Sequence, residues 1–337
     1  MTEFTDPLQR LVSKHWKSIL KFIVGLILFG YVFSQTSLKE IIALLKSIPL
    51  LSLIILFLLF ILQTMMKALQ YWILLKDDTD YFSVLRVIAL QNAIANLVSV
   101  IAGVASYLTV LKTKQKIYLK QSSTVFITIK AGDLFSIGIF TSISAYFVWE
   151  EIIILHEIII LLLSSIFLGI VFLWLVILFK EKLFLAIKRL ISSINYSEIS
   201  IIKKSLAYLE WISKQDHKKL LKTMLKVTLL SIGYLTIGML YHYSQVKMLN
   251  IPIDIWPIIF IISISQILSY LPIHIFGGLG FSEMTELYLF SLFGIFTNLP
   301  AALISLRILA YLFQIIALIW LAIYAAQKDT KRTDTIL

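Results

Sequence analysis

Long apolar stretches separated by short basic clusters set the pattern of this chain. The runs 49–66, 152–179 and 299–326 each approach or exceed the roughly 20 residues that a helix needs to cross a hydrocarbon core. A further apolar run, 22–34, follows Arg10, Lys14, Lys17 and Lys21. No small-residue cleavage site comes after it and a second span follows soon, so it reads as an uncleaved first helix rather than a signal peptide. A short amphipathic connection, 35–48, leads to a helix that opens on Pro49, where a missing N–H costs nothing. The apolar pattern predicts spans at about 18–34, 49–75, 121–148, 158–179, 222–246 and 299–326.

Two segments break this pattern in a similar way. In 87–111 the apolar positions are interrupted by Gln91, Asn92, Asn96, Ser99, Gly103 and Ser106. In 257–294 the stretch Leu271-Pro272-Ile273-His274-Ile275-Phe276-Gly277-Gly278-Leu279-Gly280 puts a proline and three glycines inside an apolar segment. A continuous helix does not suit either composition, and irregular backbone at membrane depth is tolerated only where protein or a watery cavity surrounds it. Each segment is expected to be a re-entrant helical hairpin that enters and leaves on one side.

Composition agrees with the pattern. Hydrophobic residues make up 59% of the 337, charged residues 15%, and the mean hydropathy is +0.92, whereas soluble domains carry about 25% charged residues. Soluble enzymes and nucleic-acid binders are excluded, and the absence of cysteine removes disulfides, thiolate nucleophiles and Cys-ligated metals. The net charge of +11 reflects loops, not a nucleic-acid surface. With the two hairpins re-entrant, 24 of the 30 basic residues fall on one side and only Lys39, Lys46 and Lys247 on the other, which makes the first side cytoplasmic. The expected fold is therefore an all-α polytopic membrane protein of six spans plus two re-entrant hairpins, with both termini cytoplasmic in the cell's plasma or inner membrane. Its order of span, span, hairpin, span occurs twice with opposite orientation: an inverted repeat of 1–148 and 149–327, followed by a tail, 328–337. Such repeats with broken helices are the architecture of many transporters. The basic, amphipathic segment 180–218 is expected to attract anionic headgroups.

Ionisable residues inside spans mark function by default. Lys67, Lys130, Asp133, Glu283 and Arg307 qualify. Lys130 and Asp133 share a helix face at i,i+3, and Glu283 follows the glycine break where exposed N–H groups favour an anion. One reading has Lys130 pair with Asp133 and Arg307 with Glu283, with Lys67 snorkelling to the interface. The other has Lys67, Lys130 and Arg307 hold an anionic headgroup while Asp133 and Glu283 orient them. His274 beside the break is a candidate for proton coupling, and His242, flanked by Tyr241 and Tyr243, reads as an interfacial belt residue. Asp77, Asp78 and Asp80 form an acidic cluster that lacks supporting metal ligands. No nucleophile elbow, phosphate-binding loop or zinc-protease motif occurs, so neither an enzyme nor a cofactor is expected.

These residues resemble the transmembrane domain of lysylphosphatidylglycerol synthases, a flippase-like integral membrane family that also occurs as stand-alone proteins. Lys67-Ala68-Leu69-Gln70-Tyr71-Trp72-Ile73-Leu74-Leu75 looks like that family's Arg-Ala-x-Arg-Trp-x-x-Leu-Leu, and Lys130 with Asp133 is similar to its Glu-Arg-x-x-Asp. Gly277-Gly278-Leu279-Gly280-Phe281-Ser282-Glu283 matches its Gly-Gly-x-Gly-x-x-Glu, and Arg307 an arginine of the last helix. The family's Pro-x-x-x-Gly-Glu-x-x-Arg reads here as Ser99 to Tyr107, keeping Gly103 but neither charge; Gln70 replaces an arginine and Ile129 a glutamate.

The resemblance implies a lipid translocase whose substrate, an anionic or modified membrane lipid or a lipid-linked glycan, touches Lys67, Lys130, Asp133, Gly277, Gly278, Gly280, Glu283 and Arg307. The sequence runs about ten residues past its last span, so the transferase activity of full-length synthases is not expected. The alternative expectation is a membrane scaffold that docks a separate soluble glycosyl- or aminoacyl-transferase on 180–218.

Overall fold

The computed structural model describes residues 23–193, 210, 216–270, 278, 280–296 and 298–333. Among these the chain is helical and has no strand. The helices are α1 (Ile23–Ser34), α2 (Leu38–Ser47), α3 (Leu50–Leu75), α4 (Tyr81–Leu97), α5 (Val100–Lys114) and α6 (Leu119–Phe147). They continue as α7 (His156–Leu178), α8 (Lys180–Ser193), α9 (His217–Met248), α10 (Ile255–Ser269), α11 (Phe281–Leu292) and α12 (Leu299–Thr333). Four stretches are long and apolar enough to cross a membrane, Leu50–Leu75, Leu119–Phe147, Leu221–Met248 and Leu299–Ile323, and α1 with α2 forms a fifth candidate bent by 74°. The bend is built locally. The Ser37 hydroxyl accepts from the Glu40 N–H at 3.2 Å while the Glu40 carboxylate accepts from the Ser37 N–H at 3.2 Å, a capping box that starts a new helix where the sequence suggested only an amphipathic connection.

Antiparallel α3 and α9 lie at the centre. Gln70 donates to Ser231 at 2.9 Å, Lys67 sits over the Tyr234 ring at 4.3 Å, and Leu56 shares an apolar cluster with Tyr241. Positions rising along one helix thus meet positions falling along the other. α6 packs on both α3 and α9, and α12 packs on α2 and α4.

Between α3 and α6 the chain folds back on itself. Asp80 caps α4 by accepting from the Ser83 N–H at 3.0 Å, and Ser99 caps α5 by accepting from the Ala102 N–H at 3.1 Å; these two caps frame the hairpin. Its arms approach closely because Gly103 lacks a side chain: a Cβ there would lie 2.7 Å from the Ala95 Cβ and 2.8 Å from the Gln91 carbonyl oxygen. The Thr79 hydroxyl meets Gln115 at 3.0 Å and the Gln121 amide donates to Asp78 at 2.5 Å, so the hairpin starts and finishes beside the end of α3. The acidic cluster of Asp78 and Asp80 therefore ties and caps backbone. A second hairpin, α10 and α11, opens toward the opposite end. Its outer positions Phe260 and Phe293 meet edge to face at 6.3 Å, and Trp256 stacks on Phe147 at the end of α6 at 4.1 Å.

α6 lies on α10, and α12 lies on α4.

Candidate functional site

Among the described residues, two buried charged centres lie in this framework. The first is built around Asp133, the fifteenth of the 29 residues of α6 and 2% exposed. Lys67 of α3, also buried, donates to one carboxylate oxygen, and the Ser231 hydroxyl of α9 donates to the other at 3.0 Å. Gln70 in turn donates to Ser231. Lys130 is more distant, with its ammonium 3.9 Å from Asp133 and 4.9 Å from the centre of the Tyr270 ring. Three helices thus converge on one carboxylate. The expected Lys130–Asp133 pair is present, at the longer distance, and the expectation that Lys67 snorkels is corrected: Lys67 is buried and is the closer partner of Asp133. Helical spacing brings Lys130 onto the right face, but the shorter reach across the α3–α6 interface belongs to Lys67, whose head is walled in by Tyr234 and Asp133.

The second centre is formed by Glu283 and Arg307. Glu283 occupies the third position of α11 and is 3% exposed. One of its oxygens accepts from the Arg307 Nε at 2.6 Å and the other from the Gly280 N–H at 2.6 Å. The glycine motif has a steric cause. Gly280 has φ +85°, and a Cβ there would lie 2.6 Å from the Phe29 nitrogen of α1 and press on the Gly25 carbonyl. Gly278 likewise has φ +84°. Gly277 and His274 lie outside the described residues.

A cavity of about 300 Å³ opens on this second centre. Asn96 reaches it from the tip of the first hairpin, and Ser265, Gln266, Ser269, Ser282, Glu283 and Glu286 line it from the second hairpin. α12 contributes Arg307, and α9 contributes Tyr241, His242 and Gln245. The His242 Nδ1 and the Gln245 side-chain oxygen are 2.9 Å apart. His242 is therefore a cavity residue and not a belt residue; its aromatic neighbours in sequence concealed that the helix turns it inward. The Tyr241 hydroxyl and Ser265 Oγ are buried without a hydrogen-bond partner, which suits a polar occupant. A wider depression of about 650 Å³ lies at the α6–α7 corner beside Trp149, Glu150 and Glu151, away from both charged centres.

The expected site residues thus fall into two groups and not one cavity: Lys67, Lys130 and Asp133 together, and Gly280, Glu283 and Arg307 together. The groups are separated along α9, since Ser231 and His242 are eleven residues apart, about 16 Å of helical rise. Tyr270 connects them, touching Lys130 and following Ser269 of the cavity wall. Sequence reasoning missed Ser231, Tyr234, Tyr270, His242 and Glu286. Of these only Glu286 carried a signal, because it shares the helix face of Glu283 at i,i+3. Among the described residues no group of three or more His, Cys, Asp and Glu side chains could hold a metal ion.

Helices of spanning length and composition, with charged side chains turned to the interior, define an all-helical, multi-pass membrane protein. Residues 18–327 match the family model described as lysylphosphatidylglycerol synthase TM region, and the chain belongs to that family. No curated protein and no solved structure matches it.

Proposed function

We propose that the protein is a lipid translocase that moves an anionic or modified membrane lipid, or a lipid-linked glycan, between leaflets of the plasma membrane without chemically altering it. The observation that carries this reading is the meeting of the two hairpins. Asn96 at one tip and Ser265, Ser269 and Ser282 at the other line the same polar cavity, beside a buried Glu283–Arg307 pair. Substrate sites of inverted-repeat transporters lie where broken helices meet near the midplane. The family's description links it to the synthesis of a charged phospholipid, which supports a lipid as the cargo.

In this reading α4–α5 and α10–α11 are re-entrant from opposite sides, and α1, α3, α6, α7, α9 and α12 are the six spans of two inverted halves. Both termini are cytoplasmic, on the side of Lys76, Lys112 and Lys114. The headgroup passes between the Lys67–Lys130–Asp133 centre and the Arg307–Glu283 centre while the tails remain in lipid. Replacing lost hydration with fixed charges and cavity hydroxyls lowers the barrier to crossing. The lysines of α8 and the connection after it attract anionic headgroups to the cytoplasmic mouth.

The test is a leaflet-resolved assay with purified protein in liposomes that contain labelled anionic or aminoacylated phospholipid, comparing wild type with Glu283→Gln. Movement that requires Glu283 supports translocation. No movement of any lipid by folded protein overturns it in favour of a scaffold for a separate transferase, which would then co-purify through the 180–218 surface.

A further inference from the structure

The cavity beside Arg307 holds more negative charge than its ion pair uses. Both oxygens of Glu283 are occupied, one by Arg307 and one by the Gly280 N–H. Glu286, one turn further along α11, also lines the cavity and lies within electrostatic reach of Arg307 and Glu283. Among the described residues no hydrogen bond reaches its carboxylate. Around it, α12 offers Arg307 and Tyr311, α9 offers His242 and Tyr241, and α11 itself offers Glu283. Among the described residues α10 adds the uncharged Ile262, Ser265, Gln266 and Ser269, and α4 adds Asn96. With both carboxyls ionised and His242 neutral, the described residues of the cavity carry one excess negative charge. The Lys67–Lys130–Asp133 centre carries one excess positive charge by the same count.

We propose that Glu286 is a proton-binding site and that a proton enters this cavity together with the phosphate of an anionic lipid headgroup. The inference rests on the translocase reading and adds the ion that accompanies the lipid. An ionised Glu286 repels a phosphate that approaches Arg307, and its unpaired charge is costly to hold in a partly buried cavity. A proton from the adjoining aqueous phase removes both costs by forming the O–H bond of a neutral carboxylic acid, which is itself a donor for a phosphate oxygen. No covalent bond of the lipid changes, and the proton departs to water when the headgroup leaves. Proton and headgroup thereby strengthen each other's binding by the same factor, as linkage requires.

Two measurements on purified full-length protein test this. Infrared difference spectra over a pH titration without lipid should show a protonated-carboxyl band that is lost in Glu286→Gln and kept in His242→Gln. Binding of dihexanoyl phosphatidylglycerol, a short-chain soluble probe, should tighten by about tenfold for each pH unit of acidification while the free site is ionised, with uptake of one proton per probe detected by a pH dye. In Glu286→Gln, whose side chain stays neutral, binding should persist without that pH dependence. Absence of a band that depends on Glu286 overturns the proton site. Probe binding by wild type without proton uptake overturns the coupling. A Glu286 band with no probe binding at all upholds the proton site and overturns the headgroup reading, so the two failures are distinguishable. Glu286→Asp, which keeps the titratable group, should retain the pH dependence and guards against misfolding as the cause of its loss.

Discussion

Lys67 and Asp133 lie 66 residues apart in sequence and form a buried ion pair that joins α3 to α6 at mid-height, with Ser231 of α9 completing the shell of the carboxylate. Removing one member strands the other. Lys67→Met is expected to destabilise the fold by about 3–5 kcal/mol, the usual result of leaving one buried charge unpaired. Lys67→Met combined with Asp133→Leu should recover part of that loss, because neither member of the tight pair is left behind and the third charge, Lys130, is 34% exposed and can turn to water. Thermal unfolding of the detergent-solubilised variants measures both. Equal stability of Lys67→Met and wild type would show that Lys130, 3.9 Å away, takes over the pairing.

This pair also illustrates what the chain discloses before its structure is known. The helices α3, α6, α9 and α12 fall on predicted apolar runs, because a stretch that must satisfy its backbone without water has no alternative to a helix. The interruption between α4 and α5 was legible too, because polar and glycine positions interrupt an otherwise apolar pattern there. The closer partner of Asp133 was not legible. Local spacing favours Lys130, and only the packing of α3 against α6 gives Lys67 the shorter reach. His242 was misread because Tyr241 and Tyr243 suggest an interface, whereas the cavity wall that claims it is assembled from five helices distant in sequence.

Glu283 supports two donors, and this predicts an asymmetry between variants of the second centre. Arg307→Met leaves Glu283 with the Gly280 N–H alone, and loss of one charge-assisted hydrogen bond, about 1.5–3 kcal/mol, should slow lipid movement by about 10- to 100-fold. Exchanging the charges, Glu283→Arg with Arg307→Glu, should not restore it, because an arginine at position 283 has no acceptor to offer the Gly280 N–H. Rates from the liposome assay, normalised to inserted protein, check the ordering. Full rescue by the exchange would mean that the pair acts through its charges alone.

Gly280 predicts a steric effect without any change of charge. Its φ of +85° and its contact with Gly25 and Phe29 of α1 leave no room for a methyl group. Gly280→Ala should cost about 1–3 kcal/mol from backbone strain and push α1 away from the second hairpin. The expected readout is a lower unfolding temperature together with faster proteolysis near residues 23–34. A variant as stable as wild type would show that α1 yields at no cost.

The sidedness of the hairpins can be tested cleanly because the chain contains no cysteine, so a single introduced thiol reports without background. Lys76 and Lys114 are both exposed and flank the first hairpin, whereas Asp254 and Phe296 are exposed and flank the second. If α4–α5 and α10–α11 each enter and leave on one side, Lys76→Cys and Lys114→Cys should react with an impermeant maleimide only from the cytoplasmic face of oriented vesicles. Asp254→Cys and Phe296→Cys should react only from the opposite face. A chain that crossed fully between α3 and α6 would put positions 76 and 114 on opposite faces, and every later span would then be reversed. Labelling at these four positions therefore decides between an inverted repeat with two hairpins and an array of simple crossings, and with it whether the polar cavity lies between two structurally related halves.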